Sequence, residues 1–146
     1  MRISISVILV SSCGLLLTGC KRSSRNIITP QKFSECAGRM SVVFPQSARP
    51  VGVYERHGMD DSIHLKVDID IRDLAQFIQN SPFIGITLSD NSRSVFPLKR
   101  LSWWDIENVV KYQSGEVQLP DASYLKILIG LDDPNIASLY IHWFET

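Results

Sequence analysis

The sequence predicts an α+β domain, an antiparallel sheet of four to five strands with two or three helices, preceded by a signal peptide. Three observations predict the sheet and helices. Ile63, Leu65, Val67 and Ile69 alternate with His64, Lys66, Asp68 and Asp70, the period of a half-buried strand. Ile71, Leu74, Ala75 and Ile78 recur instead at the period of a helix. Asp132, Asp133, Pro134 and Asn135 then separate two aliphatic stretches with turn chemistry, as a hairpin requires.

At the amino terminus, Met1 and Arg2 give a short positive start, and residues 3–17 are apolar apart from serines, Cys13 and Gly14. That is the anatomy of a secretion leader. The run to Cys20 falls short of the roughly 20 residues that a membrane span needs. Lys21, Arg22 and Arg25 put more positive charge after the run than before it, an arrangement that fits an uncleaved, inverted anchor instead.

Leu17, Thr18, Gly19 and Cys20 resemble the lipobox of bacterial lipoproteins. The resemblance implies that the Cys20 thiol receives a diacylglycerol, that residues 1–19 are removed, and that the membrane becomes a partner through that lipid. With Lys21 where inner-membrane retention uses aspartate, it also implies the periplasmic face of the outer membrane. Two or three acyl chains anchor stably where one does not. Residues 20–29 are then the lipidated cysteine and a polar, basic tether, and residues 30–146 form a single α+β domain of ordinary length. Cys13 is lost with the leader and Cys20 is used by the lipid. Cys36 is left alone, so no disulfide framework holds the domain.

Thr29 followed by Pro30 opens a helix over about 30–40, with Phe33, Cys36, Ala37 and Met40 on one face. Cys36 on that face reads as a buried, inert thiol. Prolines 45 and 50 mark a connection, after which 51–56 is a strand and 57–62 is the turn into the alternating strand. Asp70 caps the next helix, which Ser81 and Pro82 end. A short strand over 84–88 precedes a polar loop. Ser102 and Asp105 have the spacing of a capping box, and Trp103, Ile106, Val109 and Val110 extend it as a second amphipathic helix that Gly115 closes. Strands over 124–131 and 137–144 complete the chain.

In that last hairpin, Leu125, Ile127, Ile129, Leu139, Ile141 and Trp143 share one face. The other carries Tyr124, Leu128, Tyr140 and Phe144 beside Lys126 and His142. Either the amino-terminal helix covers this second face, which its availability nearby favours, or a partner does. Trp103 continues the apolar stripe and belongs to the core. Trp104 lies about 100° away, and either packs on a sheet edge or stands exposed as an anchor.

Fifteen basic and fifteen acidic residues balance, so nothing attracts nucleic acid at long range. The tether's three cations leave the remainder net acidic, compatible with an immunity protein against an envelope-targeted toxin. His57, His64 and His142 show none of the close spacings of a metal site, and no cofactor fingerprint or nucleophile elbow occurs, so neither metal nor cofactor nor catalytic residue is expected. A small envelope hydrolase would have to use His57, Asp60 and Asp61, which read more simply as turn residues. Phe44, Pro45, Ser47 and Ala48, with Gly58 to Asp61, resemble small exported bacterial domains and bring no functional residues with them. The expected function is a membrane-anchored, non-enzymatic protein-binding module of the envelope, with Trp104, Tyr124, Tyr140 and Phe144 as the partner surface.

Overall fold

A computed structural model describes residues 28–98 and 100–146. The expected leader, the lipobox-like residues with Cys20 and most of the expected tether lie outside the described residues. Helix α1 (Pro30–Arg39) begins as its sequence dictates: the Thr29 hydroxyl accepts from the Lys32 amide at 3.2 Å, and Pro30 occupies a position whose missing N–H costs nothing. Strands β1 (Arg49–Arg56) and β2 (Ser62–Asp70) form a hairpin. Asp70 then accepts from the Arg72 amide and starts a 3₁₀ turn, Ile71–Asp73, that runs into helix α2 (Leu74–Gln79). Strands β3 (Tyr112–Gln118), β4 (Tyr124–Gly130) and β5 (Ile136–Phe144) follow. Among the described residues, no helix is long and apolar enough to cross a membrane.

The five strands form one antiparallel sheet in the order β1-β2-β5-β4-β3. The last strand thus lies at the centre, between the first hairpin and the β3–β4 pair. Its register brings Leu65 opposite Ile141 and Val67 opposite Leu139, while Ile127 and Ile129 meet the same residues from the other side. All of these side chains are buried. They line the first face, which α1 and α2 cover with Cys36, Met40 and Phe77. Phe44 joins the two helices, its ring 4.9 Å from Phe33 and 5.6 Å from Phe77.

Three expectations are corrected. Residues 84–88 form no strand; Ile86 and Leu88 pack against the core while Ile84 is exposed, and only Ser89 makes a bridge, to Ser114. Residues 102–110 are not a helix, and only Ile106–Asn108 makes a 3₁₀ turn. Asp105 does not cap it, because its carboxylate is bonded to Lys66 and Tyr140 of the sheet. Gly115 closes no helix; it lies inside β3, where a β-carbon would stand 2.8 Å from Ile86 Cδ1 and 3.0 Å from Leu88 Cδ2.

Candidate partner-binding face

The second face of the sheet is built by alternation. Strand register sets Tyr54, His64, His142, Lys126 and Glu116 in one row across all five strands. The row at the sheet's end holds Arg56, Ser62, Phe144, Tyr124 and Gln118. On the other side of the histidine row lie Gly52, Lys66, Tyr140, Leu128 and Ser114.

The amino-terminal helix, expected to cover this face, lies on the opposite one. Its place is taken by the irregular segment 93–110, which buries Val95, Trp104, Ile106 and Val109 against Leu128 and Tyr140. Three contacts hold it down. The Lys66 ammonium lies 2.5 Å from Asp105 Oδ1, and the Tyr140 hydroxyl donates to the same oxygen at 2.7 Å. Arg93 donates to the carbonyls of Ile106 and Val109 at 2.7 and 2.6 Å, folding the segment on itself, and its guanidinium lies over the Tyr112 ring. Trp103 lies flat on β1 at Gly52, where any β-carbon would fall inside the indole.

Beneath the segment is a cleft of about 190 Å³ lined by Lys66, Asp105, Asp132, Ser138 and Tyr140 among others. Several of its polar groups are already bonded to one another, to backbone or to a neighbouring side chain. Ser138 donates to Asp68 at 2.7 Å, and Asp132 accepts from the amides of Val110 and Lys111. Burial would raise the Asp105 pKa, but the Lys66 and Tyr140 bonds outweigh it and hold the carboxyl below its ordinary value. Burial, then Asp105, pushes the Tyr140 hydroxyl up. These are the properties of a clamp.

The segment stops short of the sheet's end. There the rings continue as a stacked strip: His64 on His142 with centroids 4.0 Å apart, His142 on Phe144 at 4.9 Å, and Phe144 on Tyr124 at 5.5 Å. Lys126 reaches over Phe144 at 5.4 Å and towards Phe96 at 5.9 Å. Phe96 is 66% exposed and Tyr54 41%. Burial, first of all, pushes His64 down to about 3 and His142 down to about 4; His142 acts further on His64, Lys126 on His142, and Arg56 on both. The strip is therefore uncharged at neutral pH.

The four residues expected on a partner surface divide. Trp104 and Tyr140 are each 2% exposed and lie under the segment. Trp104 thus packs on the sheet face, its indole N–H donating to the Phe96 carbonyl at 3.0 Å, while Trp103, expected in the core, is only half-buried. Tyr124 and Phe144 are half-buried at the open end. Sequence reasoning missed Phe96, Tyr54, His64 and Arg56. Alternation in β1 and β2 was the available signal for the last three, once those strands were known to share a sheet with β5. For Phe96 there was none.

Elsewhere, His57 Nδ1 lies 3.4 Å from Asp61, but Asp61 also accepts from the Gly58 amide and from Arg39, and Asp60 is exposed. Asp61 is thus the tie of the hairpin turn, its pKa lowered by the Gly58 amide first, then by Arg39 and His57. Cys36 is buried, and burial raises its thiol pKa. Among the described residues, no three histidine, cysteine, aspartate or glutamate side chains are grouped to hold a metal ion.

The chain matches no family model, no curated protein and no solved structure.

Proposed function

We propose that this chain is a lipid-anchored envelope protein, held through Cys20, that works as a non-enzymatic binding module and engages a protein partner with the open end of its second sheet face. The observation that carries this reading is the uneven cover of that face. Segment 93–110 seals one half with a packed cluster and leaves the other as a partly exposed strip of Tyr124, Phe144 and His142, with the segment's own exposed Phe96 at its border. Aromatic side chains and arginine, here Arg56 in the same end row, are enriched at protein interfaces. The anchored amino terminus, read from the lipobox, would present the module at the periplasmic face of the outer membrane.

Immunity against a toxin delivered to the envelope is a narrower form of the same reading, since it too requires a protein-binding face.

The test is site-specific photo-cross-linking in the cell. A benzophenone amino acid placed at position 96 or 124 should give a discrete cross-linked protein, and one at position 79, exposed on α2 across the sheet, should not. Equal products from all three positions, or none at 96 and 124, would reject the open end as the contact surface.

A further inference from the structure

We propose that the open end takes an acidic segment of the protein partner, whose carboxylates bind at Arg56 and Lys126 on either side of the Phe144–His142 strip. The proposal rests on the reading of that end as a contact surface and names the chemistry that fits it.

The spacing of charge is the first argument. Arg56 ends β1 and Lys126 lies in β4, with β2 and β5 between them. Three strand spacings across and two residues along the strands put the two backbones about 16 Å apart, the reach of about five residues of extended chain. Arg56 has no ion-pair partner among the described residues. Lys126 has one, Glu116 at 3.4 Å, whose carboxylate is mostly exposed and can give way. Lys126 is only 22% exposed, but water screens the Glu116 side of the pair and 3.4 Å is a loose contact, so an incoming carboxylate can take the place of Glu116.

What lies between the cations is the second argument. The half-buried, uncharged imidazole of His142, backed by the buried His64 and stacked on Phe144, adds flat apolar surface without repelling either sign of charge. A partner segment with two acidic residues flanking an apolar or aromatic one complements that pattern. A basic segment would meet both cations at once.

Glu116 gives the proposal its most specific consequence, because it competes for Lys126. Neutralising it should strengthen binding, whereas reversing Arg56 and Lys126 should weaken it.

The probe is a fluorescent random copolymer of glutamate and tyrosine, titrated against the purified full chain in nonionic detergent. A lysine–tyrosine copolymer and oligothymidylate serve as comparisons, and circular dichroism checks each variant's fold. The glutamate–tyrosine copolymer should bind best, and added salt should weaken it. Arg56→Glu with Lys126→Glu should lower affinity about tenfold or more, and Glu116→Gln should raise it about threefold. Equal or better binding of either comparison polymer, or no response to these three substitutions, would overturn the proposal. Cellular cross-linking at positions 96 and 124 that persists undiminished in the Arg56→Glu, Lys126→Glu variant would overturn the acidic partner and leave the contact surface standing. Loss of cross-linking in the unaltered background would remove both.

Discussion

Lys66 of β2 and Asp105, separated by 39 positions in the chain, meet at 2.5 Å, with the Tyr140 hydroxyl on the same carboxylate oxygen. This pair decides which half of the second face is closed. Lys66 is 10% exposed and Asp105 40%, so the ammonium is the member that cannot easily be left alone.

Asp105→Ala should therefore destabilise the fold by about 2 kcal/mol. That is less than the 3–5 kcal/mol of a fully buried pair, because water already screens the carboxylate. Urea unfolding is the measurement. Adding Lys66→Met should restore part of the loss, since no uncompensated charge is then buried. If the double variant is no more stable than the single, the loss does not come from the stranded ammonium.

Trp103 over Gly52 is the second point of attachment. Gly52→Ala puts a methyl group inside the indole, so the ring must leave β1. Overpacking of this kind costs about 1–3 kcal/mol. The expected result is lower stability with red-shifted tryptophan emission, relieved when Trp103→Ala is added. Unchanged emission and stability would mean that the indole does not rest on the strand.

The two stacked histidines give stability a particular dependence on pH. His64 and His142 titrate near 3 and 4 in the folded chain, well below the ordinary value of about 6.5 that they regain on unfolding. Above pH 6.5 both states hold them neutral and they contribute nothing to the slope. As pH falls below 6.5 the unfolded chain takes up protons that the folded chain refuses, so stability declines from about pH 6.5 down to about 3. Asp70, lowered to about 2 by the Arg72 side chain and amide, adds its own loss only below about pH 4. The interval from pH 6.5 to 4.5 therefore isolates the histidines. Urea midpoints should fall across it, and His64→Gln with His142→Gln should flatten the fall. An equal fall in that variant would assign it to other groups.

Cys36 should behave as a core residue. Its thiol is buried and its pKa raised by that burial, so maleimide should label it in urea and leave it untouched in the folded chain. Rapid labelling under native conditions would contradict the packing of α1 on the sheet.

Much of this fold was legible because local pattern and tertiary environment agree. Thr29, Pro30 and Asp70 mark helix starts whose caps form as the sequence requires, and strict alternation in β2 survives because its apolar face is buried under α1 and α2. What failed was decided at a distance. Ser102 and Asp105 have the spacing of a capping box, but the Asp105 carboxylate is claimed by Lys66 and Tyr140, and the stripe from Trp103 to Val110 makes only the 3₁₀ turn Ile106–Asn108. Strand β3 has a single branched aliphatic residue, Val117, because it lies at the sheet's edge and is held by β4. The strip proposed as a contact surface was half legible. Tyr124 and Phe144 follow from alternation within one hairpin, whereas the neighbouring His64 enters only because β5 inserts between β2 and β4.

In the function proposed for this chain, compartment, anchoring and access to an envelope partner all rest on lipidation of Cys20. The most direct measurement is the intact mass of the chain extracted from membranes, with Cys20→Ser as the control. The predicted result is a polypeptide beginning at Cys20 and carrying diacylglycerol with or without a further acyl chain, and an unlipidated product from the serine variant. A chain recovered from the soluble cytosol at its full mass, leader attached and unmodified, would contradict it.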